Sequence, residues 1–383
     1  MSEISKGGSR LAWVDQMRTM VIVLVVNMHA CVTYGHVGSW YVNEPPDPPL
    51  VIKLVFLLWQ GHLQAFFMGL LFFVSGYFAW GSLGRRGPGR FMRERLVRLG
   101  LPTLLYMLVL NPLILFVINA GGNDWGPLGK AYAGYLSRGW FLSGTGPMWF
   151  AEALLLFSGA LALAWQARPA LTAPGASGAP GAGGLWVFGA TLVAATFLVR
   201  LVQPLGSSVQ NLQLCYFPQY VLAFGAGAAA ARGGWLVTLA RSRAARRAGW
   251  LALFLGPLAL AAVLLGGGIW KGQSLVPFSG GWNWRTLGLA AWEQLAGLGL
   301  GLGALAFCSG KLNEDTKLAR WLNDRSFGVY LFHPIPLILI TIGLRPLDIN
   351  PFFKVSLLTG ACLVASFAVA DMARRIPGLR AIV

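Results

Sequence analysis

Charged residues are scarce in this sequence. Asp, Glu, Lys and Arg make up 11% of its 383 residues, against roughly 25% in a soluble domain. So few charges cannot cover the surface of a water-soluble fold. The mean hydropathy of +0.62 makes the bilayer the natural solvent. Acidic side chains are scarcer still, 13 against 30 Lys and Arg, for a formal net charge of +17. Nucleic acid could attract such an excess, but the basic residues sit in short clusters between apolar runs and form no continuous stripe. That distribution argues against a nucleic-acid partner. Cysteine is also sparse: Cys31, Cys215, Cys308 and Cys362 lie far apart in apolar contexts with no CxxC pair, as buried free thiols would. Neither a metal site nor a GxSxG or HExxH motif is present in the pattern. No cleavable leader is expected, because Asp15 and Arg18 interrupt the first apolar run, which reads as a retained helix.

What is there is a series of apolar runs near the roughly 20 residues a spanning helix needs. Ten can be drawn: Trp13 to Tyr34, Val51 to Trp80, Leu99 to Ala120, Pro147 to Ala167, Leu185 to Val202, Leu212 to Ala231, Ala248 to Gly268, Leu287 to Cys308, Phe327 to Leu344, and Phe352 to Asp371. The second is too long for a ~30 Å hydrocarbon core, so it tilts, breaks or projects. Arg and Lys crowd alternate loops, with Arg85 to Arg98 in the second and Arg232 to Arg247 in the sixth, while the first has none. By the positive-inside rule this pattern predicts an all-α polytopic integral membrane protein of about ten transmembrane helices with both termini cytoplasmic. The expected organisation is a single membrane domain. Helices 1–4 lie at 13–167, a flexible Gly/Ala/Pro linker at 169–184, and helices 5–10 at 185–371. "GLGLGLG" at Gly297 to Gly303 has no Lys-Ser/Thr sequel and sits in an apolar run, so it reads as close helix packing, not a phosphate loop.

Ionisable groups inside spanning helices are costly and mark candidate sites. The first run holds Asp15, Arg18 and His29. Arg18 and His29 are 11 positions apart, which puts them on one helix face with about 16 Å between them along the axis. Asp15 is placed to pair with Arg18. Arg18 near the cytoplasmic end can hold an anionic or polar part of a donor, and deeper His29 suits a general base. The alternative is an interfacial ion pair and a hydrogen-bonded packing histidine. His62, Gln64 and Ser75 interrupt the second run, and for each a cavity-lining role stands beside a packing role. Glu152 and Glu293 can face a cavity or interfacial water, and Arg200 reads as a snorkelling residue. His333 precedes Pro334, which frees local backbone carbonyls, so it is either structural or cavity-lining. Trp40, Trp282 and Trp284 read as interface anchors. Trp149 can also stack on a sugar.

Several motifs occur together in order: "RLAWVDQMRTMVIVLVVNMHA" ending at Ala30, "FFVSGYF" from Phe72, "RERLVRLGLP" from Arg93, "MWF" from Met148 and "SFGVYLFHP" from Ser326. Across nearly the whole chain these resemble the membrane-bound acyltransferase type 3 family. "SWYVNEPP" from Ser39, "SGYF" from Ser75, "RLVRLGLP" from Arg95 and "RIPGL" from Arg375 resemble its glucan biosynthesis protein C branch. The long linker and high Gly and Ala content depart from that pattern. The resemblance implies an O-acyltransferase of the bacterial inner membrane. Arg18 and His29 would match the family's Arg-x10-His pair, and the Ser75-Gly76 region, Arg95 and Arg98 would match motif positions of less defined role. The donor implied is acyl-CoA, as succinyl-CoA or acetyl-CoA, with no metal. The acceptor implied is a glucan or other polysaccharide, with membrane lipid as surroundings.

On this reading the lip of Arg90, Arg93, Arg95 and Arg98 attracts the phosphates of acyl-CoA, although topology alone also explains it. His62, Gln64, Ser75, Trp149, Glu152 and His333 are the candidates for substrate contact. The rival reading is a glycan or lipid-linked sugar flippase. Many transporters are built from related halves, and no internal repeat is evident.

Overall fold

The computed structural model describes residues 11–119, 127–167, 175 and 178–382. Its regular elements are helices, and the one β-bridge among the described residues joins Val209 to Leu212. In chain order those longer than five residues are α1 Ala12–Gly35, α2 Leu50–Arg86, α3 Pro88–Asn119, α4 Leu128–Ser137, α5 Gly146–Ala167, α6 Ala182–Arg200, α7 Leu214–Gly233, α8 Arg243–Gly266 and α9 Trp284–Lys311. They continue with α10 Lys317–Phe332, α11 Pro334–Gly343 and α12 Pro351–Arg375. Nine of the described helices are long and apolar enough to cross a membrane, or ten if the bent pair α10 and α11 counts as one span. Each of the ten apolar runs falls on one of these helices or on the bent pair.

Three spans depart from simple runs, for backbone reasons. α2 stays unbroken for 37 residues, about 55 Å at 1.5 Å per residue, so it projects beyond the hydrocarbon layer. α3 starts at Pro88, well before Leu99, and carries π turns at Leu96–Gly100 and Tyr106–Leu110. Each π turn lies just before a proline, Pro102 or Pro112, whose missing N–H leaves a helical hydrogen bond unmade. The ninth run is bent by 67° between Phe332 and Pro334.

Without a hydrophobic drive between helices in lipid, close approach through small residues holds the bundle together. A Cβ on Gly76 of α2 would strike the Phe224 backbone of α7, and one on Gly227 would strike the Phe73 carbonyl. In "GLGLGLG", Gly297 lies against the Ala65 carbonyl and Gly303 against Gly249, so the repeat is packing surface. The bundle has an inside and an outside: 61% of the apolar window of α1 lies within the protein, against 17% for α6 and for α8. α8 accordingly turns Trp250, Phe254 and Leu258 outward.

Two expectations change. Arg200 does not snorkel: it is fully buried and donates from Nη2 to Glu293 Oε2 at 2.7 Å. Glu293 is buried as well, so neither faces water; a charge inside the bundle needs its partner there. Of the linker, residues 169–174 and 176–177 lie outside the described residues. At its far end Ala179 packs on the core and α6 begins at Ala182.

Candidate active site

Arg18 and His29 share one face of α1, as their 11-residue spacing requires. Toward the Arg-rich face, Arg18 Nη1 lies 3.7 Å from Asp15 Oδ1, and the Arg18 side chain is about half exposed at 49%. Of the predicted lip, Arg95 is half-buried, with Arg18, Arg86 and Arg98 in its surroundings. Arg93 and Arg98 are exposed, and Arg90 is exposed and bonded to Glu94 at 3.3 Å. Glu94 also pairs with Arg86.

The deeper end of the α1 face meets the bend between α10 and α11. His29 Nδ1 lies 2.9 Å from His333 Nε2, and His333 Nδ1 lies 2.9 Å from the Tyr330 carbonyl. Pro334 explains the second contact. In an unbroken helix the Tyr330 carbonyl would accept from the N–H four residues on, which Pro334 lacks. The His333 side chain supplies the missing donor.

That substitution fixes proton positions. A carbonyl only accepts, so His333 carries its proton on Nδ1 and presents Nε2 as an acceptor. His29 must then donate from Nδ1, leaving a lone pair on its Nε2. No hydrogen bond from a described residue occupies that nitrogen. In the sequence His29 and His333 are separate candidates; the fold makes them one unit, with His333 fully buried and His29 part-exposed.

Around the pair, Tyr330 Oη donates to the Pro147 carbonyl, which ties "SFGVYLFHP" to "GPMWF". Trp40 lies flat on His29, with ring centroids 3.7 Å apart.

The family match follows this geometry. A family described as an acyltransferase domain matches residues 11–371. The chain belongs to that acyltransferase family. No match is found among curated proteins or solved structures.

The acyltransferase spreads its other predicted site residues over several places. Gln64 Nε2 donates to Tyr220 Oη at 3.2 Å, and Tyr220 stacks on Trp149 at 5.5 Å. Trp149 neighbours the histidine pair through Phe150 and Tyr330, whose rings lie 6.4 Å apart. His62 is turned elsewhere: Nδ1 bonds the Leu58 carbonyl at 2.7 Å, and its ring sits edge-on to Trp292 of α9 at 5.1 Å. Ser75 is half-buried beside Gly76 at the α2–α7 contact. Glu152, half-buried on α5, has an Oε2 atom with no partner among the described residues. No group of three metal-ligating side chains occurs among the described residues.

Three features escaped the sequence reading. Trp40 is a stacking partner of the candidate base, not a lipid-interface anchor. Tyr41 enters a network in which its Oη donates to Asn111 Oδ1 at 2.6 Å and lies 2.9 Å from Tyr106 Oη. Burial pushes the Tyr41 phenol above its usual range, so it stays a neutral hydroxyl. Glu44 is buried in the same segment and accepts bidentate hydrogen bonds from Arg345, 2.8 Å at Nη2 and 3.0 Å at Nε. Those bonds hold the Arg345 guanidinium above its ordinary range. The signal available beforehand was "SWYVNEPP", an aromatic pair and a carboxylate in one short loop. An apolar cavity of about 270 Å³, lined by Phe66, Phe73, Leu192, Gln219 and Leu298 among others, lies between α2, α6, α7 and α9 and includes none of the histidine pair.

Proposed function

We propose that this acyltransferase moves an acyl group from cytoplasmic acyl-CoA to a hydroxyl of a periplasmic or cell-surface glucan or related polysaccharide, with His29 as base. The observation that carries the proposal is the hydrogen-bond series from the Tyr330 carbonyl through His333 to His29, which leaves His29 Nε2 free to accept a proton. Arg18 and Arg95 on the Arg-rich face suit the phosphates and polar arm of the donor. About 16 Å along α1 separates Arg18 from His29, a distance an extended pantetheine arm can span.

The chemistry is a direct transfer. The acceptor oxygen attacks the thioester carbon as its proton passes to His29 Nε2, and the carbonyl electron pair moves onto oxygen. Collapse re-forms the carbonyl and expels the thiolate, which takes the proton back from His29. His333 keeps the base in the right tautomer and stabilises its cation by accepting from Nδ1–H, the position a carboxylate takes in hydrolase triads. The succinyl or acetyl donor and the glucan acceptor rest on the branch motifs, "SWYVNEPP" and "RIPGL" foremost; the bacterial inner membrane follows from such an acceptor.

Mass spectrometry of periplasmic and surface glycans from cells with and without the gene tests this reading. The expected result is a lost succinyl or acetyl increment on one glycan, restored by the wild-type gene and not by a His29→Ala copy. Glycans unchanged by deletion, or full restoration by His29→Ala, contradict it.

A further inference from the structure

The segment from Ser39 to Pro46 follows α1 and folds back over its end. Helix α1 stops at His36, which takes a left-handed conformation (φ 53°) with its N–H on the Val32 carbonyl. Gly38 is also left-handed, at φ 102°, a backbone conformation glycine adopts without Cβ strain. The chain can therefore reverse and lay Trp40 on His29. Three anchors hold it there. The Glu44 N–H donates to the Thr33 carbonyl at 2.9 Å. The Glu44 carboxylate is clasped by Arg345 from beyond α11. Tyr41 is locked to Tyr106 and Asn111 of α3.

The strap thus fixes one indole ring. It lies 14° from parallel to the His29 imidazole and 12° from that of His333, with the His333 centroid 5.9 Å away. An indole that only anchored the protein at the lipid interface would keep its N–H in headgroup water. Here Trp40 Nε1 is buried and has no hydrogen-bond partner among the described residues. A buried indole N–H ordinarily finds an acceptor. The acceptor class that acyl transfer brings to this place is the thioester carbonyl oxygen.

We infer that Trp40 is a catalytic residue: its indole face stabilises the imidazolium form of His29, and its Nε1–H donates to the oxyanion of the tetrahedral intermediate. The inference rests on the acyl-transfer reading above and adds the electrophilic half of the site. As the hydroxyl oxygen bonds to the thioester carbon, the carbonyl π pair becomes a lone pair on oxygen, where the indole N–H meets it. The hydroxyl proton goes to His29 Nε2, and the resulting cation lies against the electron-rich ring face. When the carbonyl re-forms, the C–S bond breaks, the pair leaves on sulfur, and the thiolate recovers the proton. Glu44 and Arg345 are positioning residues that hold the strap.

The test uses the full-length protein in liposomes with acyl-CoA and a glucan acceptor, read as thiol release. Trp40→Phe keeps a ring face and removes the N–H. A benzothienylalanine at position 40, with sulfur in place of N–H, removes the donor and little else. Losing one oxyanion donor lowers kcat by on the order of 100-fold, so both variants should show that loss with KM values for donor and acceptor within about threefold. Trp40→Leu should lose a further several-fold as the ring face goes. Wild-type kcat in the two ring-retaining variants overturns the assignment, as does a change confined to KM. Failure of both to fold overturns it too, because Trp40 would then be structural. If the wild-type protein releases no thiol from any acyl-CoA, the acyl-transfer reading falls first; normal wild-type turnover beside unaffected variants removes only the role of Trp40.

Discussion

Replacing His333 with Phe should cost acyl transfer far more than it costs the fold. Phe preserves the ring volume in the stack against His29 and Trp40. It deletes the Nε2 acceptor that lies 2.9 Å from His29 Nδ1. That hydrogen bond is neutral before proton transfer and charge-assisted after it. A neutral bond contributes roughly 0.5–1.5 kcal/mol and one to a charged group about 1.5–3 kcal/mol. The difference, on the order of 1–2 kcal/mol, is stabilisation gained only as His29 becomes a cation, or about 5- to 30-fold in kcat. Losing the neutral bond also releases the tautomer preference of His29, for a further factor of about 2–10. The predicted fall in kcat is therefore about 10- to 300-fold, with little change in either KM. Thiol release from acyl-CoA in liposomes measures it, with the thermal unfolding midpoint of the variant as the control for folding. A folded His333→Phe protein with kcat within about twofold of wild type would refute the role of His333 in orienting and stabilising the base.

Pro334→Ala should give the Tyr330 carbonyl a backbone donor, release His333 Nδ1 and relax the 67° bend; kcat should fall about tenfold or more, and unchanged turnover would show that the proline does not set the tautomer. Glu293→Ala should leave the fully buried Arg200 without its 2.7 Å partner. The expected cost is about 3–5 kcal/mol, read as a lower unfolding midpoint in detergent, whereas wild-type stability would mean the guanidinium finds another partner. Arg95→Gln should raise KM for acyl-CoA several-fold and flatten its dependence on ionic strength. Arg90→Gln, at an exposed position already bonded to Glu94, should change neither; equal effects at both sites would make the lip a general topology signal.

The spans were legible in the sequence because bilayer thickness and the cost of unpaired backbone groups leave only one kind of element, and apolar length reports it. The 11-residue spacing of Arg18 and His29 was legible for the same reason: a long helix turns spacing into a face. Legibility ended where residues far apart in sequence meet. His29 and His333 are 304 positions apart, and nothing local to either predicts their hydrogen bond. Pro334 gave half of the answer, since a freed carbonyl was evident, but not which side chain would take it. Trp40 misled because an aromatic residue near a helix end has the composition of an interface anchor, and only the left-handed turn at His36 and Gly38 sends it inward. Arg200 misled similarly: one arginine at the end of an apolar run looks like a snorkelling residue until Glu293, 93 positions away, is seen beside it.

The most direct test of the account is turnover by the purified protein in sealed liposomes, with acyl-CoA outside and glucan inside. Wild-type protein should release thiol and acylate the enclosed glucan in equal amounts, and His29→Ala, equally folded and inserted, should do neither. Glucan acylation by the His29→Ala protein at the wild-type rate would contradict the claim that this imidazole is the base.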